Sequence, residues 1–436
     1  MAFFLPFSGH ALTSQTTRNA IQGSAPYLTF DGGRTRAVDV NGLLGITLSN
    51  GIKYTPSTNT SSSSAPIVLP AAGQSFADIS MFVPTDTNSV ALSSLIGPPN
   101  NYWGDDDGDS GVTATGRLSL SIVDKRGQSV SRNSVLTTCN APYRIKLSST
   151  DGTLSTRYGF PNRSTFSASD VTYYVNPKAS PVVCFARPNL NYGTGNYAGP
   201  ASMWDPAKGF LTQETDPSLY GRNFPTTGLN GLYFDLDISG SSQPLYWSPV
   251  SQDGITVTMS NPTATSVRVT LTGPYATPSQ ISSANPGPLS TISLPQTFEL
   301  VGRDSNGTPV VKYGFTLKQW FVNTGSERKT YRNTLSWCNS LGYRMPRVRD
   351  LTNSNYNNLG STPSAPHNGY MRHIGSGFFT EWGRMYDYSG VGFEDYWLLY
   401  WTSDSYSYYQ FIVYTLNGNV ERSLPNQRRL GLCSYP

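Results

Sequence analysis

Short runs of alternating apolar and polar residues, separated by turn residues, recur through most of this chain. The clearest is "GRLSLSIVDKRGQSVS" at residues 116–131, where Leu118, Leu120 and Ile122 alternate with polar residues before the turn "DKRGQ". Alternation with a period of two indicates a strand with one buried face, and the turn indicates a hairpin. Similar runs follow at spacings typical of a β-sandwich, in "YRIKLSS", "VTYYV", "PVVCFARP", "GITVTMS" and "TSVRVTLTG". The sequence therefore predicts a mainly β fold.

Composition favours a folded, turn-rich chain and argues against two classes of function. Only 13% of the 436 residues are charged, against roughly 25% in an average protein, while 12% are aromatic. The net charge of +4 is too dilute for a nucleic-acid footprint, and the densest basic stretch, "RMPRVRD" at residues 344–350, is interrupted by Met, Pro and Val. Because no apolar run of about 18 residues occurs, no membrane-spanning helix is predicted. We expect a monomer without a nucleic-acid partner.

The four cysteines predict disulfides rather than a metal site. None lies in a CxxC pattern, and only three histidines accompany them, so a zinc site has few ligands to draw on. An even number of widely spaced cysteines in a chain rich in Ser, Thr and Tyr indicates two disulfides formed in an oxidising compartment, although four buried thiols are the alternative. Three pairings are possible, and the order along the chain favours Cys139 with Cys184 and Cys338 with Cys433.

The residue composition and pattern of the chain change twice along its length, which predicts three regions. Residues 1–115 form a β-rich region with a long Ser/Thr/Pro-rich stretch at 53–75, interpreted as a linker or surface loop. Residues 116–312 carry the dense strand pattern and are predicted to form a β-sandwich. After residue 313 the first helix signals appear, with Leu335, Cys338 and Leu341 on one face and Gly342 as a stop. A second short helix near "RVRDLTN" and short strands "GFFTEWG", "YWLLYWTSD", "YYQFIVYT" and "LGLCSYP" are expected to follow.

This last region resembles the C-type lectin-like domain, and the chain from about residue 100 to its end resembles bacterial intimin/invasin-type adhesins. The phrases "NYWGDDDGDSGVTATG", "CNAPYRI", "NPKASPVVCFARPNL" and "TFELVGRDSNGTPVVKYGFTLKQWFV" are similar to the adhesion region of the invasin-E type, from about residue 100 to the end. The resemblance implies Ig-like β-sandwich domains followed by an α+β lectin-like domain at residues 313–436. It also implies a disulfide from the first helix to the last strand of that domain, which would join Cys338 to Cys433.

The resemblance implies a function as well as a fold. We expect the passenger region of an enterobacterial cell-surface adhesin, anchored in the outer membrane through a more N-terminal part of a longer protein, or a secreted relative. Its partner would be a host-cell surface protein or glycan, bound by the C-terminal head. The alternatives are a secreted carbohydrate-binding or carbohydrate-degrading module, and a structural spacer in which the head only caps the array.

The acidic run "WGDDDGD" is a candidate calcium site. Asp105, Asp107 and Asp109 are two residues apart, and their carboxylates could share a Ca²⁺ ion that stiffens the chain at this point. The spacing is not that of an EF-hand, since Ser110 and Gly116 stand where that loop needs Gly and Glu. The alternative is a solvated acidic turn. The Glu-Pro-Asn and Gln-Pro-Asp triplets of calcium-dependent sugar-binding lectins do not occur, so sugar binding of that kind is not expected.

Aromatic residues in the last region are the candidate receptor contacts. "SDSYSYYQ" at residues 403–410 interleaves Tyr406, Tyr408 and Tyr409 with serines, the composition of adaptable recognition loops. Trp382 is a further candidate contact, while a Tyr-rich strand edge and a core position are the structural alternatives. Glu381 beside Arg384 is interpreted as either a structural pair or part of the same surface.

No catalytic motif stands out, so we expect no enzyme activity. Glycosidase-like carboxylates are conceivable, but nothing in the sequence fixes a pair or its separation. G-x-S-x-G, P-loop and HExxH patterns are absent. The carboxylates considered for a glycosidase pair are Glu381, Asp387, Glu394 and Asp395.

Overall fold

A computed structural model describes residues 22–393 and 398–436 of the chain. Strands make up 34% of the chain and helices 12%, so the predicted mainly β class is confirmed. The chain divides into two compact units, at 1–178 and 179–436. The predicted boundaries after residues 115 and 312 lie within these two units, and the predicted division into three regions stays a prediction.

The first unit contains twelve strands in its described part and one α-helical turn. The strands are β1 Tyr27–Leu28, β2 Ile46–Thr47, β3 Lys53–Tyr54, β4 Ile67–Val68, β5 Ser89–Ala91, β6 Trp103–Gly104, β7 Thr113–Ala114, β8 Arg117–Val123, β9 Tyr143–Ser149, β10 Gly152–Ser155, β11 Arg163–Phe166 and β12 Ser169–Asn176. Helix α1 spans Ser93–Ile96, and 3-10 turns span Asn41–Leu43 and Phe76–Asp78.

The main sheet of the first unit has the order β4-β12-β9-β8-β5. Strand β8 buries Leu118, Leu120 and Ile122 while its intervening residues are more exposed, as the alternating pattern predicts. The Ser/Thr/Pro-rich stretch at 53–75 is not a linker, because it contains β3 and β4, and β4 pairs in parallel with β12. Leu69 at the end of β4 is buried in the core of the unit, which explains why an otherwise polar stretch is held in place.

The second unit continues with sixteen strands in its described part. They are β13 Val182–Arg187, β14 Trp204–Asp205, β15 Gly209–Leu211, β16 Thr227–Leu229, β17 Tyr233–Ser239, β18 Tyr246–Trp247, β19 Val250–Gln252, β20 Ile255–Ser260, β21 Ser266–Thr272, β22 Gln296–Arg303, β23 Pro309–Leu317, β24 Gln319–Asn323, β25 Leu399–Tyr406, β26 Tyr409–Tyr414, β27 Val420–Ser423 and β28 Leu432–Tyr435. Its helices are α2 Pro278–Ser282, α3 Tyr331–Ser340, α4 Val348–Leu351 and α5 Phe378–Trp382. Further 3-10 turns span Gly195–Tyr197, Pro217–Arg222, Tyr356–Asn358 and Met385–Asp387.

One hydrophobic core runs through the second unit. A seven-stranded sheet, ordered β14-β15-β13-β17-β21-β20-β19, and the sheet β18-β22-β23 both contribute side chains to it. The same cluster contains Phe234 from β17 and Trp320, Cys338 and Trp382 from beyond residue 313. The part predicted as a sandwich and the part predicted as lectin-like therefore share buried side chains.

Helix α3 forms where its apolar spacing predicts, and Gly342 ends it. Gly342 has φ +80°, its N–H donates to the Asn339 carbonyl at 3.0 Å, and the N–H of Tyr343 donates to the Cys338 carbonyl at 3.1 Å. This pair of bonds is a Schellman motif, in which a glycine takes up the left-handed conformation without a steric penalty. The motif turns the chain so that Arg344 pairs with Ser434, next to β28.

The last strand of the chain, β28, lies beside β24, near the start of the last predicted region. Strand β28 pairs antiparallel with β24, with Val322 opposite Cys433, and β24 pairs in parallel with β16. A disulfide joins Cys338 of α3 to Cys433 of β28, with 5.4 Å between the Cα atoms, which is the link that the resemblance implies. Cys139 and Cys184 are disulfide-bonded too, and their pairing with each other stays a prediction. That residues 313–436 form a C-type lectin-like domain also stays a prediction.

The stretch "GFFTEWG" is a helix, so its interpretation as a strand is wrong. Helix α5, Phe378–Trp382, makes a short run of helix between Gly377 at φ +112° and Gly383 at φ +79°. These two backbone angles are in a region that favours glycine, and they bend the chain sharply on both sides of the aromatic residues. In the described residues, no helix is long and apolar enough to cross a membrane.

Candidate receptor-binding surface

Strands β25 and β26 form a hairpin whose tip carries the predicted tyrosines. We call residues 403–410 the tip hairpin. Tyr406 and Tyr409 face each other as its last strand pair, and Ser407 and Tyr408 form the two-residue turn. Ser407 has φ +56°, which suits the first central residue of a tight hairpin turn, a position that usually holds glycine. The turn therefore places Tyr406, Tyr408 and Tyr409 together at the end of the hairpin.

Two of the three tyrosines of the tip hairpin are solvent-exposed. Tyr406 is 57% exposed and Tyr408 is 65% exposed, while Tyr409 is half-buried. The Tyr408 and Tyr409 rings lie 4.4 Å apart, and a hydrogen bond with the Tyr408 hydroxyl raises the pKa of Tyr409. The guanidinium of Arg422, on the neighbouring strand β27, lies 4.6 Å above the Tyr406 ring. Together the four side chains offer apolar ring area, hydroxyl groups and one cation to a partner.

The base of the tip hairpin is firmly attached to the rest of the unit. The N–H of Val348 donates to the Asp404 carboxylate at 2.6 Å, and the N–H of Ser403 donates to the Pro346 carbonyl at 2.8 Å. Trp401 is fully buried, packs with Ile412, and donates its indole N–H to the Lys329 carbonyl at 2.9 Å. A rigid base with exposed aromatic side chains is the arrangement that protein recognition sites use, because little side-chain freedom is lost on binding.

Arg422 is a candidate site residue that the sequence analysis missed. It lies on β27 opposite Phe411 of β26, so its place beside Tyr406 depends on the register of a three-stranded sheet. The signal that could have found it is the run "NGNVER", which follows β26 as a turn and a returning strand.

Trp382 is a core residue, so its assignment as a receptor contact is wrong. Its side chain is 0% exposed, its ring lies 4.9 Å from that of Phe224, and its indole N–H donates to the Thr227 carbonyl at 3.1 Å. Helix α5 directs this side chain inward because the chain turns at Gly377 and Gly383. Trp397, the neighbouring tryptophan of the same sequence region, lies outside the described residues.

Glu381 and Arg384 do not form a pair. Glu381 is fully buried, and its carboxylate accepts hydrogen bonds from the backbone N–H and hydroxyl of both Thr226 and Thr227 and from the N–H of Gly375, at 2.6 to 3.1 Å. Burial raises the pKa of Glu381, and these bonds oppose that rise. Arg384 instead contacts Asp387. Of the four carboxylates considered for a glycosidase, Glu381 and Asp387 are thus held by structural contacts, and Glu394 and Asp395 lie outside the described residues.

The three aspartates of the acidic run come together in the first unit. One carboxylate oxygen of each of Asp105, Asp107 and Asp109 lies within 4.8 Å of the others. Asp105 uses Oδ1 to accept the N–H groups of Asp107 and Asp109, at 2.9 and 3.2 Å, whereas its Oδ2 is buried without a hydrogen-bond partner among the described residues. Hard oxygen ligands at this spacing fit Ca²⁺, and a buried carboxylate oxygen without a partner is one that a cation would satisfy. The calcium site stays a prediction.

Calcium is expected to stabilise the first unit. At ten times its dissociation constant, Ca²⁺ bound only to the folded state would raise the free energy of unfolding by about 1.4 kcal/mol. The measurement is the melting temperature of the chain with chelator and with millimolar Ca²⁺, compared with an Asp107→Asn/Asp109→Asn variant. An equal response of the variant and the parent chain to Ca²⁺, or no response of either, would show that the acidic run is only a solvated turn.

Comparison with known proteins gives distant structural likenesses. Neither the family models nor the curated proteins match the chain. The crystal structure of invasin, a bacterial integrin-binding protein, is similar over 76% of this chain at 15% identity with a TM-score of 0.37. This chain covers 52% of that structure, so it spans about half the length of the invasin chain.

Structures of intimin are similar to this chain at comparable identity and TM-score. The C-terminal 282-residue fragment of intimin, in complex with the intimin-binding domain of the translocated intimin receptor, is similar over 75% of this chain and 100% of that chain. Its identity is 13% and its TM-score 0.34. An intimin mutant from EHEC O157:H7 is similar over 50% of this chain and 93% of that chain, at 14% identity with a TM-score of 0.30. All three TM-scores lie below 0.5, so the class of the fold rests on the strands of the chain itself.

Proposed function

We propose that this chain is the receptor-binding region of a bacterial cell-surface adhesin, and that its C-terminal part binds a host-cell surface protein or glycan through the tip hairpin. The observation that carries the proposal is the exposed cluster of Tyr406, Tyr408 and Arg422 on a rigid base. Tyrosine and arginine are enriched among the residues that dominate binding energy at protein interfaces. The resemblance of the sequence to the invasin-E type supplies the class of protein, and the proposed role requires no catalysis.

Replacing Tyr406 and Tyr408 together by Ala is expected to weaken attachment to host cells by at least about tenfold. Interface tyrosines at hot spots cost about 2 kcal/mol or more each when truncated, whereas exposed substitutions change the free energy of unfolding by about 0.5 kcal/mol or less. The measurement is binding of the purified chain to cultured host cells as a function of concentration, with thermal unfolding as the test of folding.

The control is Tyr158→Ala. Tyr158 is 60% exposed, and the guanidinium of Arg157 lies 5.3 Å from its ring, so it reproduces the chemistry of Tyr406 at a site in the first unit. Loss of attachment in the double variant but not in the control supports the tip hairpin. A lower melting temperature with unchanged attachment would mean that these tyrosines only stabilise the fold.

A further inference from the structure

The densest basic stretch of the sequence, residues 344–350, borders an open polar cavity of about 490 Å³ in the second unit. Four cationic side chains line it, against one side-chain carboxylate, that of Asp350, and the main-chain carboxylate of Pro436, the last residue of the sequence. The cationic residues are Lys318, Arg344, Arg347 and Arg349. The chain thus concentrates positive charge in one concavity although its net charge is small.

The positive charge of this cavity is only partly neutralised. The carboxylate of Asp350 lies 2.6 Å from Arg344 Nη1 and 3.8 Å from Arg347 Nε, so two cations share it. Burial opposes ionisation of Asp350, but its bonds with Arg344 and the Arg347 N–H outweigh burial and lower the pKa. Lys318 donates to the Gly221 carbonyl at 3.2 Å. Among the described residues, Lys318 and Arg349 have no ion-pair partner, and both are exposed.

The remaining wall of the cavity is polar. It is formed by Thr226, Thr227, Gln319 and Ser361, by the backbone at Gly375 and Gly377 and by Pro436, and no aromatic side chain lines it. Beneath it, the carboxylate of Glu381 already takes the N–H groups of Thr226, Thr227 and Gly375. The Gln319 amide already donates to Asp350 Oδ1 at 3.3 Å, so the donors left for a ligand among the described residues are the Ser361 hydroxyl and the cationic groups themselves. A neutral sugar would find no ring to stack on, whereas an anion would find charge complementarity.

The arginine-rich segment is held in place by its neighbours. The bond from the Val348 N–H to Asp404 fixes the backbone between Arg347 and Arg349, and Arg344 Nε donates to a main-chain carboxylate oxygen of Pro436 at 2.9 Å. Guanidinium groups bind sulfate and carboxylate groups well, because their planar forks match the spacing of two oxygens. The volume lies within the range of small-molecule sites, roughly 300–1,000 Å³, and an extended acidic protein surface would not fit into it.

We propose that this cavity binds the anionic groups of an acidic oligosaccharide, in the form of a sulfate ester or a sugar carboxylate. Lys318 and Arg349 supply the charges that the protein leaves without a partner, and Arg344 and Arg347 complete the cationic wall. The site does not depend on the proposed role of the tip hairpin, because none of its residues belongs to residues 403–410.

The test measures by calorimetry, at physiological salt, how the chain binds sucrose octasulfate and how it binds sucrose. The parent chain is expected to bind the octasulfate and not sucrose, and the Lys318→Gln/Arg349→Gln variant is expected to bind it at least about tenfold more weakly, since two charge-assisted contacts are removed. Because both side chains are exposed, the variant should keep the melting temperature of the parent chain.

The matched control is Arg157→Gln/Arg163→Gln, which removes the same net charge from exposed positions in the first unit. Full affinity of this control supports a defined site in the cavity. If both variants bound the octasulfate equally weakly, the affinity would depend on net charge alone, and the proposal would be overturned. Failure of the parent chain to bind the octasulfate would overturn it too, and binding of a polyglutamate peptide in place of the octasulfate would assign the cavity to an acidic protein.

Discussion

A variant with alanine at both Cys338 and Cys433 is expected to lose up to about 4 to 5 kcal/mol of the free energy of unfolding. The bond closes a loop of 95 residues, and a cross-link over such a loop removes a large conformational entropy from the unfolded chain. In the folded state the strand pairs of β28 with β24 already hold Cys433 in place, so the loss acts mainly through the unfolded state. The measurement is unfolding in urea. The midpoint is fitted together with the slope, which is the dependence of the free energy of unfolding on urea concentration.

A neighbouring substitution in the same strand separates the disulfide from the general cost of mutating a buried site. Ser434→Ala removes a hydroxyl that is buried without a hydrogen-bond partner among the described residues, so it should be neutral or slightly stabilising. The slope should also increase in the cysteine variant, because an unfolded chain without the cross-link exposes more surface. An unchanged midpoint in the cysteine variant would mean that β24 and β28 alone close the loop.

Local signals of the sequence predicted the local structure well. Strand β8 and helix α3 form where period-two and helical spacing place them, and Gly342 ends α3 as its position predicts. Helix α5 was missed because Phe, Thr and Trp favour strands, and this preference is overridden by the bends at Gly377 and Gly383. Local composition thus predicts the type of an element only where the turns on either side of it allow that type to form.

Exposure could not be predicted in the same way. Trp382 and Tyr408 belong to the same aromatic-rich region, yet one is 0% exposed and the other 65%. The difference is decided by Phe224 and Thr227, which lie about 155 residues before Trp382 in the chain and contact its ring and its indole N–H. No local pattern carries this information, because such contacts exist only once the strands are assembled.

The predicted boundary near residue 312 depended on the same kind of local signal. Helix-forming residues begin there, but β16, at residues 227–229, pairs with β24, and Glu381 accepts hydrogen bonds from Thr226 and Thr227. Deleting residues 313–436 would therefore expose buried side chains of residues 179–312 as well as remove the tip hairpin. Point substitutions at exposed side chains are the cleaner test of binding.

Loss of the Arg372 side chain is expected to destabilise the second unit strongly. It is 0% exposed and donates to four backbone carbonyls, of Asn189, Asn191 at 3.0 Å, Tyr192 at 3.3 Å and Glu381 at 2.9 Å. A Cβ atom on Gly383 would lie 1.9 Å from its Nη2, so only glycine leaves room for the guanidinium there. One cation thereby joins the turn-rich stretch after β13 to helix α5.

Replacing Arg372 by Met is expected to lower the free energy of unfolding by about 3 to 5 kcal/mol, since it leaves the buried Glu381 carbonyl and three part-buried carbonyls without a donor. Arg372→Lys should recover only part of the loss, because an ammonium has three donors and cannot reproduce the planar fork. The control Arg222→Met removes an exposed pair with Glu214 at 2.7 Å and should cost about 1 kcal/mol or less. Equal midpoints for the two methionine variants in urea would mean that water satisfies the carbonyls as well as Arg372 does, and that residues 188–204 are held by packing on Trp204 alone.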